Sequence, residues 1–159
     1  MILYLDSSAI VKQYISEPGS PEVQRAVEGA QVVATTVASR VEVAAALRKA
    51  VRVGVLSEAQ AEPLVHAFTK KWPSLVRTRV TERLVKHATA LAWSHGLRGY
   101  DAIHLASAAA WQQALGLPVT MATFDQQLWY ATEKIGLLAY PLDLPDLVET
   151  WSKESRKKK

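Results

Sequence analysis

Three of the five aspartates in this 159-residue chain stand in similar settings. Asp6 closes the apolar run ILYL, Asp125 follows VTMATF, and Asp101 opens the helix-like DAIHLASAAA. Each is a place where an aspartate caps a helix, and taken singly each reads as a cap. Glu42 is different. In VASRVEVAAALRKA its neighbours are small and apolar nearly all round, whereas a surface helix gathers its charges on one polar face. Arg40 or Lys49 offers it an ordinary surface pairing; the other reading turns it inward, toward other carboxylates. Carboxylates that share a few ångströms of space cannot all stay ionised unless a cation neutralises them. With no cysteine in the chain, such a cation would be held by oxygen or imidazole, and oxygen ligands select a hard ion, Mg2+ or Mn2+. The chemistry that follows is phosphodiester hydrolysis by a metal-activated water. The sequence has neither a cysteine nor a GxSxG elbow as a better nucleophile.

For these carboxylates to meet, the elements carrying them must be brought side by side. Apolar runs at 2–5, 31–35, 75–80, 118–123 and 137–140 read as strands. Helices are expected over 8–15, 21–29 and 37–53, and over 57–71 behind the capping box of Ser57 and Gln60. Others are expected over 81–95 between Thr81 and Gly96, over 100–115 before Gly116, and over 125–135. Strands alternating with helices predict a parallel sheet covered on both faces. Ligands of such sheets bind beyond the carboxyl ends of the strands, where the strand order reverses. If the first and fourth strands flank that point, Asp6 and Asp125 emerge next to each other.

Composition bounds the rest. The length favours one domain with a sizeable core, and no stretch approaches the roughly 18 apolar residues of a membrane span. No signal-peptide pattern is present, and the lack of cysteine suits a reducing compartment, so a cytoplasmic location is expected. The formal net charge of +4 lies entirely in the last seven residues, where Lys153, Arg156, Lys157, Lys158 and Lys159 face only Glu154. The body is neutral, so a carboxylate cluster within it would be rimmed by net positive charge.

At this point four segments, LDSSAIVK, SRVEVAAALRKA, GYDAIHLASA and MATFDQQL, match a family by their order and spacing. The chain resembles the PIN-domain ribonucleases, and within them the VapC-type toxins of toxin–antitoxin pairs, over nearly its whole length to about Pro145. The resemblance implies an α/β fold, a three-layer α/β/α arrangement around a five-stranded parallel sheet. It divides the chain into a PIN domain at 1–145 and a C-terminal extension at 146–159, whose basic tail is expected to be partly disordered. It implies that Asp6, Glu42, Asp101 and Asp125 bind Mg2+ or Mn2+, and that Ser8 and Thr123 support them by hydrogen bonds. It further implies RNA cleavage leaving 5′-phosphate and 3′-hydroxyl ends, a homodimer, and a small cognate antitoxin lying over the active site.

Other residues read less sharply. His104, three residues after Asp101, shares its helix face and is read as a histidine bonded within the packing rather than as a ligand. Lys12 reads equally as a solvated lysine or a phosphate contact. Arg40 and Arg98 are surface salt-bridge formers by default and candidate phosphate contacts by position. The five tryptophans are scattered and read as core and dimer packing, not as base-stacking platforms. A PIN-fold RNA-binding or interaction domain without nuclease activity is the rival reading, and it would tolerate loss of acidic residues that are all present. A dehalogenase-type phosphatase would need an aspartate where Ser8 stands, and a phospho-receiver would need one near Thr81 and Glu82.

Overall fold

The computed structural model describes residues 1–157. Five parallel strands, β1 (Ile2–Leu5), β2 (Val32–Thr36), β3 (Val76–Thr78), β4 (Thr120–Ala122) and β5 (Leu138–Tyr140), form one sheet in the order β3-β2-β1-β4-β5. The central β1 pairs with β2 through Leu3↔Val33 and with β4 through Tyr4↔Met121. The chain thus walks outward from β1 to β3, then jumps back across β1 to build β4 and β5. The order reverses between β1 and β4, where the crevice of such a sheet opens.

Alternation along β1 divides the interior into two cores. Leu3 and Leu5 point to one face and pack with residues of α1 (Ser7–Val11), α2 (Ser20–Glu28), α3 (Ser39–Arg52) and α4 (Glu58–Lys71), among them Ile10, Val23, Leu47 and Phe68. Tyr4 points to the other and packs with α5 (Glu82–His95), α6 (Gly99–Leu115) and α7 (Gln126–Lys134) through Leu91, Leu105 and Leu128. The expected three-layer α/β/α arrangement with five parallel strands is the one observed. Among the described residues no helix is long and apolar enough to cross a membrane.

Local signals placed most boundaries. The Ser57–Gln60 capping box opens α4, which continues through Pro63, and Thr81 and Gly96 bound α5. Other edges moved. The helix expected over 8–15 stops at Val11 and gives way to turns. The strand expected over 75–80 shrinks to three residues, because its length is set by what β2 pairs with, Ala34↔Val76 to Thr36↔Thr78. The largest difference is α8 (Leu144–Lys157), a helix that crosses the boundary expected at residue 145. Of the extension expected to be partly disordered, residues 146–157 are helical, and 158–159 lie outside the described residues. Leu144, Val148 and Trp151 of α8 pack on Trp129, Ala139 and Phe124.

Candidate active site

Asp6 stands immediately beyond β1, where its backbone N–H extends the ladder to Ala122 O at 3.1 Å. It caps α1: Oδ1 accepts from Ala9 N–H at 2.7 Å. It is also held from two other sides. The Ser8 hydroxyl donates to its carboxylate at 2.7 and 2.9 Å, and the Thr123 hydroxyl donates to Oδ2 at 2.7 Å. The side chain is only 4% exposed. Burial pushes its carboxyl pKa up, against the charge of His104 and the hydrogen bonds from Ala9, Thr123 and Ser8. The helix cap is thus made by a carboxylate that is also buried and held from two further sides.

Asp125 repeats the design beyond β4. It caps α7 through Oδ1 and Leu128 N–H at 3.0 Å, leaving Oδ2 for Arg98 Nη2 at 2.9 Å. Asp101, in the first turn of α6, accepts from Arg98 Nε at 2.7 Å. One guanidinium thus bridges two carboxylates from different elements. The Asp6 and Asp125 loops are also stitched directly, since Asp125 N–H donates to Thr123 Oγ1 at 3.2 Å and Phe124 N–H to Ser8 Oγ at 3.0 Å.

Glu42, in the first turn of α3, accepts from the Ser7 hydroxyl at 2.8 Å and lies 2.9 Å from His104 Nε2. His104 is buried, and its Nδ1 is 3.2 Å from the hydroxyl of Tyr4. Burial works to raise the Glu42 carboxyl, but the hydrogen bond and charge of His104 with the Ser7 hydroxyl outweigh it and hold it below the ordinary value. The histidine is bonded within the packing, as expected, and its partners include a candidate ligand. Tyr4 and Ser7 were missed; the only sequence signal was the pair of serines after Asp6, which a helical turn sends in different directions.

Ser8 and Thr123 both donate to the Asp6 carboxylate. Lys12 and Arg40 are not joined to the carboxylates. Lys12 pairs with Glu17 at 2.7 Å and lies 4.7 Å above the Phe124 ring centroid, while Arg40 is turned toward Trp72 at 6.0 Å. Among the described residues, no three carboxylate or imidazole groups converge as they stand closely enough to hold a metal ion. Between Asp101 and Asp125 the positive charge of Arg98 does the neutralising.

A five-stranded parallel sheet covered by helices on both faces, its order reversing between β1 and β4, is the fold of the PIN class, and the PIN domain model matches residues 3–134. The chain belongs to the PIN-domain family. It is similar to Ribonuclease VapC45 of Mycobacterium tuberculosis, 31% identical over 144 residues covering 90% of this chain and 97% of that one. It is likewise similar to Ribonuclease VapC3 of Pyrobaculum aerophilum, 33% identical over 141 residues covering 89% and 100%. Among solved structures, PAE2754 from Pyrobaculum aerophilum superimposes with a TM-score of 0.60 at 21% identity, covering 94% of this chain and 90% of that one. FitAcB from Neisseria gonorrhoeae gives 0.58 at 14%, covering 89% and 98%. These two likenesses speak to the fold.

Proposed function

We propose that this protein is a divalent-metal-dependent endoribonuclease and the toxin of a VapBC-type pair. The observation carrying the reading is that Asp6 and Asp125 stand past the two strands where the order reverses, Asp101 is joined to Asp125 through Arg98, and Glu42 is joined to the Asp6 loop through Ser7. The relatives named Ribonuclease VapC support RNA as the substrate. The donor set is oxygen-only, and it already keeps the positive charge of Arg98 between two carboxylates, so the residues fit a hard cation, Mg2+ or Mn2+. Asp6, Glu42, Asp101 and Asp125 would hold it. When bound, the ion supplies an activated water and neutralises charge developing on the phosphate. Ser8 and Thr123 keep Asp6 in one orientation, and His104 with Ser7 keeps Glu42 ionised. Arg98, once displaced from the aspartates, is free to meet a phosphate oxygen. Lys12 and Arg40 are assigned to phosphates farther along the strand. The protein acts in the cytoplasm as a homodimer restrained by a small cognate antitoxin, with 1–145 as the catalytic domain and 146–159 as an extension.

A labelled single-stranded RNA tests the reading. Cleavage is expected to vanish in EDTA and return with Mg2+ or Mn2+, leaving 5′-phosphates. Full activity after exhaustive removal of metal would overturn it, and binding without cleavage under every metal would select the non-nuclease PIN domain.

Two further outcomes follow from the same geometry. The Arg98 side chain is 75% exposed, so each of its ion pairs contributes at most about 1 kcal/mol. Displacing it therefore costs an incoming ion little, and Arg98→Gln is expected to tighten Mn2+ binding by about fivefold in a calorimetric titration. Weaker binding would mean that the guanidinium positions the aspartates instead of competing for them. Truncation after Trp151 keeps the apolar contacts of α8 but removes the whole +4. It is expected to leave kcat unchanged and to flatten the salt dependence of RNA binding. Loss of cleavage at low salt with the fold intact would place the tail in the catalytic centre.

A further inference from the structure

We infer that α8 and the loop before Asp125 form a nucleotide subsite that holds one unpaired base and its phosphate beside the acidic centre; this rests on the reading of that centre as a ribonuclease. Phe124 and Trp151 lie 6.2 Å apart with their rings inclined by 31°. They border an open cavity of about 580 Å3 also lined by Lys12, Pro18, Ser152 and Arg156. That volume lies within the range of sites that take one small ligand. Among the described residues no carboxylate lines it, although Glu17 approaches through its bond to Lys12 at 2.7 Å. Arg156 has no ion-pair partner among the described residues, while Lys12 is shared with Glu17. An aromatic face with an unpaired cation and hydroxyls beside it matches single-stranded nucleic acid, whose bases stack while its phosphates pair with the cations.

The position of the cavity ties it to the reaction. Phe124 is the residue before Asp125, and its N–H is bonded to the Ser8 hydroxyl that also holds Asp6. The ring is fixed by the backbone as well. Gly19, at φ +96°, passes so close that an added Cβ would run into Cε1 and Cδ1 of the ring. A base stacked on the exposed part of Trp151, beside Phe124, is therefore held next to the residue that precedes Asp125. The family match ends at residue 134, before α8 begins, so this wall of the site is supplied by the part of the chain beyond the matched region. The five tryptophans, read from sequence as packing residues, are thus divided: Trp72 and Trp129 are buried, Trp111 and Trp151 are partly exposed, the latter at the cavity, and Trp93, 92% exposed, packs in no core.

The test compares Trp151→Leu, which keeps an apolar contact for α8 but offers no ring face, with Trp151→Phe, which keeps one. Binding of a labelled single-stranded RNA and of the same sequence as a duplex is measured by fluorescence anisotropy in EDTA, with melting temperatures alongside. Trp151→Leu is expected to weaken single-strand binding by about fivefold or more, with Trp151→Phe within about twofold of wild type. Duplex binding should be unchanged in both, because paired bases cannot stack on the protein. Arg156→Gln is expected to lower the slope of log affinity against log salt by about 0.7, one phosphate contact. Equal effects on single strand and duplex, or wild-type binding by Trp151→Leu, would overturn the subsite, and an antitoxin or another protein would then be the better occupant. Metal-activated cleavage by the wild type is scored separately. If it fails while Trp151 still governs single-strand binding, the nuclease reading falls and the subsite stands.

Discussion

Asp101→Asn is expected to reduce metal-activated RNA cleavage by more than about a hundredfold while leaving the melting temperature near wild type. Loss of an outer hydrogen-bond partner of a metal ligand already costs roughly 10- to 100-fold, and loss of a ligand itself should exceed that. The structural cost is small by comparison. Asp101 caps nothing, and its side-chain partner is the exposed Arg98, an interaction of at most about 1 kcal/mol. Activity and stability are thereby separated in one variant. Cleavage in Mn2+, calorimetric Mn2+ binding and a thermal melt measure the three quantities, and activity within tenfold of wild type would remove Asp101 from the centre.

Asp6→Asn is expected to abolish cleavage, to lose most of the stabilisation by Mg2+, and yet to melt at or above wild type in EDTA. Two carboxylates about 5 Å apart repel by roughly 3 kcal/mol at an effective dielectric near 20, which sets the scale of strain in a bare cluster. Arg98 relieves that strain for Asp101 and Asp125 but touches nothing of Asp6. Asp6 is also the most buried of the four, with hydroxyl and amide donors and no cation bonded to it. Its charge is the least compensated. Asparagine retains an acceptor for Ala9 N–H, and the Ser8 and Thr123 hydroxyls can turn to accept from its amide. A cap lost outright would cost about 0.5–2 kcal/mol, so a melting temperature lowered by several degrees would show that the cap outweighs the buried charge. Metal stabilises by binding the native state only, so a wild-type Mg2+ shift in the variant would make Asp6 a cap and nothing more.

Much of this was legible because the signals are local. Apolar runs, capping residues and glycine stops need no knowledge of the rest of the chain, and they located all five strands and seven of the helices. What they cannot report is how far a pairing continues, so β3 was drawn too long and α1 too long. The eighth helix escaped because its apolar positions, Leu144, Val148 and Trp151, are set in a polar and then basic run. That helix acquires a partner only when Phe124 and Trp129 arrive from elsewhere in the chain. The site follows the same rule. Asp6 and Asp125 could be brought together by the logic of the sheet, and Glu42 stood out against its apolar neighbours. The Ser7–Glu42–His104–Tyr4 chain and the Arg98 bridge to Asp125 join residues 27 to 100 positions apart. No spacing in the sequence encodes those contacts.

The stitching of the two strand ends has a mechanical meaning. Thr123 Oγ1 touches both Asp6 and the backbone of Asp125, and Ser8 Oγ touches both Asp6 and the backbone of Phe124. Two crossed ties between two loops remove sliding and hinge opening together, so the gap between Asp6 and Asp125 behaves as a fixed gauge. In the proposed metal site, adjustment to ions of different radius would then fall on Asp101, which no such tie holds once the exposed Arg98 side chain swings away. A fixed jaw facing one movable carboxylate would set the spacing on one side and adapt on the other.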